Sequence, residues 1–194
     1  MANDVPDFEN TNDRAEHASH DKQARTREVS SIQFPYGDLE QAIEVARAIF
    51  EHAGMQCQSD QLAAYLDHQH NSGTYRQKVS TARMFGLIDY EREQISLTDL
   101  GGKIVDKKNE REAKADAFLN VPLYKKVYED FKGKTLPPRP APFERVIVNY
   151  GVSSKQKSKA RRAFERSAQQ AGFFEHGSDR LVKPATLSGT SESR

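Results

Sequence analysis

Four basic residues, Lys155, Lys159, Arg162 and Arg166, follow one another at intervals of 4, 3 and 4. On an α-helix that spacing gathers them into one outward stripe, because positions three and four apart are surface neighbours. Ser158 shares the face, and Lys157 and Arg161 flank it. Residues 151–166 hold six basic groups against one acid, Glu165. Such a stripe neutralises phosphates and releases their counterions. Lys155, Ser158 or Arg162 reaches base edges if the helix enters a major groove. The plain alternative is a solvated basic face that only keeps the protein soluble.

A second set precedes it. Thr74, Arg76, Gln77, Lys78, Ser80 and Arg83 fall on a stretch with no acid between Ser72 and Ile88. Arg76 and Gln77 suit base contacts, so this face either docks on DNA beside the first or serves as a packing or protein-binding surface. Its surroundings oppose a phosphate. Residues 30–102 carry a net charge of −5, whereas residues 103–183 carry +9. This asymmetry points to one half meeting a polyanion.

Other chemistry finds less support. His52, Cys57, His68 and His70 are of metal-binding type, but their spacing fits no zinc pattern and only one thiolate is available, so no metal is expected. Gly101-Gly102-Lys103 is too short for a phosphate loop. No nucleophile–base–acid or paired-carboxylate spacing emerges, so neither an enzyme nor a cofactor is expected. Tyr124, Tyr128 and Phe131, at helical spacing, read as core.

The chain of 194 residues is 36% hydrophobic and 29% charged, with a mean hydropathy of −0.81. No stretch approaches the roughly 18 apolar residues of a membrane span, and no secretory signal opens the sequence. With a single cysteine, these features lead to an expectation of a cytoplasmic protein, nucleoid-associated if it binds DNA. Residues 1–33 and 184–194 bear too little apolar surface to offset the entropy of ordering and are expected to be disordered.

The elements that position these residues follow from periodicity. Asp38 with Gln41 reads as a capping box for a helix whose apolar positions are Leu39, Ala42, Ile43, Ala46, Ile49 and Phe50, ended by Gly54. Ser59 suits the N-cap of a second helix, and a third carries Tyr75, Val79, Ala82 and Phe85 inward up to Gly86. Leu87–Tyr90 and Ile95–Leu97 alternate as a hairpin, after which Thr98 caps a helix containing Ile104 and Val105. Residues 106–132 supply connecting or packing helices, broken or begun at Pro122. Residues 133–142 form a Pro-rich connector. Residues 143–150 form a short helix, Ser153 or Ser154 caps a long one ending at Gly172, and Phe173-Phe174 with Leu181-Val182 is expected to form a second hairpin. Thr81–Ile88 and Ser167–Phe174 share a pattern: a small pair, a helix end, a glycine and two large apolar residues.

The stretches FGLIDYEREQISLTDLGGKIV and GVSSKQKSKARRAFERSAQQAGFF resemble the winged helix-turn-helix superfamily, the first its wing and following helix, the second its turn, recognition helix and wing entry. In tandem they resemble prokaryotic regulators with two such modules. The resemblance implies a mostly α fold with small β-hairpins (α+β), as two tandem winged-helix domains: the first at 34–105, then the connecting or packing helices of 106–132, then the second, with its Pro-rich connector at 133–142 and its helix-turn-helix and wing at 143–183. It implies duplex DNA as partner and transcriptional regulation as role, read by the basic helix of the second module. The alternative it leaves open is a tandem winged-helix adaptor in a larger complex, meeting another protein through the first module. The helices around 104–131 serve either as a homodimer interface or as a rigid joint.

Overall fold

The computed structural model describes residues 28–185; the disorder expected at 1–27 and 186–194 falls outside them. Among the described residues, eight helices and one three-stranded antiparallel sheet make an α+β fold. Helix α1 (Leu39–Ala53) starts where the Asp38 carboxylate accepts the Gln41 N–H at 3.2 Å, and its inner face buries Leu39, Ala42, Ile43, Ala46 and Ile49. Phe50, which shares the apolar pattern, projects into solvent.

Strand β1 (Gln56–Gln58) is absent from the sequence reading, since three residues with one buried side chain give no period. Helix α2 (Ser59–Tyr65) is capped by Gln58 in a reciprocal box with Gln61. Ser59, expected to be the cap, is instead buried and bonded to the Tyr75 hydroxyl at 2.8 Å. Helix α3 (Gly73–Met84) opens on Ser72, whose hydroxyl accepts the Tyr75 N–H at 3.1 Å. Strands β2 (Ile88–Glu91) and β3 (Gln94–Leu97) follow as the expected hairpin. Arg92 and Glu93 turn it with φ of 48° and 69°, the left-handed pair that a two-residue hairpin loop requires. β1 pairs with β3, giving the order β1-β3-β2. Thr98 caps α4 (Asp99–Val105), and Gly101 lies so close to the Leu87 carbonyl that a β-carbon there would collide with it.

The second half contains α5 (Glu110–Asn120), α6 (Pro122–Phe131), α7 (Ala141–Asn149) and α8 (Lys157–Gln170). Pro122 separates α5 from α6 and sits in the first turn of the latter, where its missing N–H leaves no bond unmade. The start of α8 needs correction: residues 153–156 form a turn in which the Gln156 N–H donates to the Ser153 carbonyl, so neither Ser153 nor Ser154 is its cap. The second hairpin does not form. Phe173 and Phe174 are both buried, and an alternating strand would have turned one of them outward. The would-be outer strand pairs elsewhere: Arg180 bridges to Thr135, and the Leu136 N–H donates to the Asp179 carbonyl at 2.7 Å. Between the two expected strands one backbone bond forms, from the Val182 N–H to the Phe173 carbonyl at 3.0 Å.

The shared pattern of Thr81–Ile88 and Ser167–Phe174 corresponds to shared geometry. The N–H groups of Gly86 and Leu87 donate to Arg83 and Ala82 carbonyls, and those of Gly172 and Phe173 donate to Gln169 and Ala168, the same helix-ending motif twice. Both glycines have positive φ, 75° and 80°. The small pairs serve close approach to the start of α1: Thr81 lies against Gly37, and the Ser167 hydroxyl accepts the Leu39 N–H at 3.2 Å.

The apolar interior is continuous. Among the described residues, one cluster takes side chains from both halves. Rings link it end to end: Phe85 meets Tyr124 at 6.1 Å, Tyr124 meets Phe118 at 5.0 Å and Phe164 at 5.3 Å, and Phe118 meets Phe173 at 4.5 Å. α5 and α6 bury their apolar faces here, so they join the halves from within. Residues 28–33, expected in the disordered arm, are held by polar bonds, with Ile32 packed partly buried against the core. The Ser31 N–H donates to the Gly151 carbonyl at 2.8 Å, the Ser30 hydroxyl donates to Gln156 at 2.6 Å and accepts the Ser153 N–H at 2.8 Å, and the Leu123 N–H donates to the Gln33 carbonyl. At the other end Pro184, expected in the tail, is buried beside Gly172.

Candidate nucleic-acid interface

α8 carries six of the seven expected groups, with Lys155 in the turn before it rather than on the helical stripe, yet the fold employs most of them internally. Glu144, buried on α7, lies beneath the helix start. Its carboxylate accepts the Ser158 hydroxyl at 2.9 Å and the Arg161 Nε–H at 3.0 Å, with Lys157 Nζ at 3.7 Å. Arg161 also reaches Glu165 at 2.9 Å, one helical turn on. Burial pushes the Glu144 carboxyl up, but the hydrogen bonds from Arg161 and Ser158 and the charges of Arg161 and Lys157 overcome it and hold the group below its ordinary value of 4.5. Arg166 pairs with Asp38 at 3.2 Å, joining the α8 stripe to the cap of α1. Lys159 stands over the Tyr36 ring, 3.8 Å from its centroid, a cation–π contact. Arg162 turns back to the Ser158 carbonyl at 3.2 Å and remains exposed. Lys155 is exposed with no side-chain partner among the described residues. Two free cations therefore remain of the expected stripe.

α3 presents the opposite balance. Tyr75, Val79, Thr81 and Ala82 face inward, and Thr74, Arg76, Gln77, Ser80 and Arg83 are exposed. Lys78 leaves the set, because Glu44 of α1 holds its ammonium at 2.7 Å and 2.8 Å. Arg76 and Arg83 have no carboxylate partner among the described residues. The helix follows α2 across a short turn and precedes the β2–β3 hairpin, so its exposed face is flanked by the turn on one side and the hairpin on the other.

Between α3, that turn and the hairpin lies an open cavity of about 310 Å³. It adds residues that the sequence did not assign to this face: Ser59, His70, Asn71, Tyr90 and Glu93. His70 Nε2 is 3.0 Å from the Ser59 hydroxyl and 3.4 Å from the Glu93 carboxylate. These partners are eleven and twenty-three positions from His70 in the chain, and no spacing rule connects them. The segment carrying Tyr36 and Gly37 runs from the start of α8 to the inner side of α3, so both faces adjoin one stretch of backbone.

His52 and Cys57 make packing contacts within the fold. His52 stacks on Tyr65 at 4.7 Å, and Cys57 is buried on β1, where burial and then the charge of Asp60 push its thiol up. Among the described residues, no group of three His, Cys, Asp or Glu side chains is arranged to hold a metal ion. No helix among them is long and apolar enough to cross a membrane. No protein-family model, curated protein or solved structure matches the chain.

Proposed function

We propose that the protein is a regulator that binds duplex DNA, with α3 entering the major groove and the start of α8 resting on flanking phosphates. The first half supports a winged-helix reading through its order of helix, strand, two helices and hairpin, with β1 beside β3. The second half fits a reduced module of the same kind, with α7, turn and α8 but no wing. The observation that carries the reading is the unpaired face of α3, where Arg76 and Arg83 project among Thr74, Gln77 and Ser80 with no acid on the helix. Guanidinium and amide groups on one face suit phosphate and base-edge contact together. The reading helix thus moves from α8 to α3, and Lys155 and Arg162 become backbone contacts.

Fluorescence anisotropy with a labelled random duplex at low salt tests this. Arg76→Glu/Arg83→Glu abolishes binding, Lys155→Glu/Arg162→Glu weakens it, and Lys78→Ala, whose ammonium is tied to Glu44, leaves it unchanged. The net −5 of residues 30–102 favours a second reading, an adaptor that meets a basic protein surface. That reading requires flat anisotropy for the parent protein.

A further inference from the structure

We infer that the cavity beside α3 is a binding site for a single nucleotide, its phosphate on Arg76 and Arg83 and its base between His70 and Tyr90. At about 310 Å³ the cavity lies at the lower end of the roughly 300–1,000 Å³ typical of small-ligand sites, enough for one base with its phosphate. Its lining is divided chemically. Buried Tyr75 forms the floor, and the half-exposed rings of Tyr90 and His70 form walls of the kind on which bases stack. Arg76 and Arg83, both exposed and without carboxylate partners among the described residues, provide two guanidinium groups at the rim, the donor geometry suited to a phosphate. Glu93, on the hairpin turn, supplies an acceptor for an exocyclic amine. The floor and one wall are fixed to α2: the Tyr75 hydroxyl donates to the Ser59 carbonyl at 2.6 Å, and Ser59 in turn meets His70.

This inference deepens the duplex-binding reading, because Arg76 and Arg83 serve both. The nucleotide has two sources, a free mononucleotide that competes with DNA or a base extruded from the bound duplex. Titration calorimetry of the full chain with adenosine 5′-monophosphate, adenosine and inorganic phosphate tests the first. Duplex containing 2-aminopurine, whose fluorescence changes when the base leaves the duplex stack, tests the second. The expected result is saturable binding of the monophosphate, tighter than either fragment, or a saturable fluorescence change with the duplex. Arg83→Met, an exposed substitution that spares the core, weakens the responding arm by about tenfold or more, the loss of a charge-assisted hydrogen bond. Glu93→Gln narrows the preference for adenosine monophosphate over thymidine monophosphate. No response in either arm, or a response that Arg83→Met leaves intact, overturns the inference. Anisotropy with ordinary duplex separates the two readings: duplex binding without a nucleotide response removes only this site, and nucleotide binding without duplex binding removes only the regulator.

Discussion

Glu144→Gln is expected to destabilise the protein. The carboxylate side chain is 9% exposed and answers three groups of α8, with Arg161 at 3.0 Å, Ser158 at 2.9 Å and Lys157 at 3.7 Å. Breaking a buried pair by removing one partner costs about 3–5 kcal/mol when the other charge is left alone. Arg161 is not left alone: Glu165 stays at 2.9 Å and the guanidinium is 18% exposed. The glutamine also retains an oxygen that accepts one bond. The loss is therefore about 2 kcal/mol, or about 4–8 °C in Tm for a chain of 194 residues. Its pH dependence has a definite sign. The folded carboxyl lies below its ordinary value of 4.5, so its stabilisation is complete above that pH and disappears as the pH falls through the folded value. Urea unfolding at pH 7 and at a series of pH values below 4.5 measures both: the variant trails the parent at pH 7, and the gap narrows as the pH is lowered. A gap that does not narrow, or a loss below about 0.5 kcal/mol at pH 7, refutes the assigned role of the ion pair.

Three further substitutions test the framework. Gly101→Ala pushes a β-carbon into the Leu87 carbonyl and costs about 1–3 kcal/mol in urea unfolding, because α4 must shift away from β2. Asp38→Ala removes both the α1 cap and the partner of Arg166, lowering stability by about 1–2 kcal/mol. Phe164→Ala empties a fully buried position in contact with Phe118, Tyr124 and Phe143, and is expected to cost about 3–5 kcal/mol. Because the core is continuous, tyrosine fluorescence and circular dichroism lose signal together in that variant, and two separated transitions would contradict the single interior.

What was legible in the sequence was local. The apolar periods of α1 and α3, the Asp38 and Thr98 caps and the glycine at position 86 act within a turn or two of themselves, and spacing reveals them. The hairpin at 88–97 was equally plain, its turn being marked by charged residues between alternating strands. What escaped depends on distant partners. β1 exists because Cys57 finds Ile95, thirty-eight positions on. The second hairpin failed because Phe173 and Phe174 both found aromatic neighbours, Phe118 and Phe164 among them. For the candidate site, the residue set on α3 was visible but its ranking was not. Helical spacing put Lys157, Arg161 and Arg166 on or beside an outward stripe, and nothing in that spacing foretold Glu144 or Asp38 beside them. Polar binding of residues 28–33 escaped for a similar reason, since a hydropathy argument registers no serine-to-backbone bond.

The most direct test of α3 as the reading helix is the salt dependence of duplex affinity. Four free cations, Arg76, Arg83, Lys155 and Arg162, give log K against log salt a slope of about −3 to −4 at roughly −0.9 per phosphate contacted. The Arg76→Ala/Arg83→Ala variant reduces that magnitude by about 2. A parent slope near zero, or one that the double substitution leaves unchanged, contradicts the account.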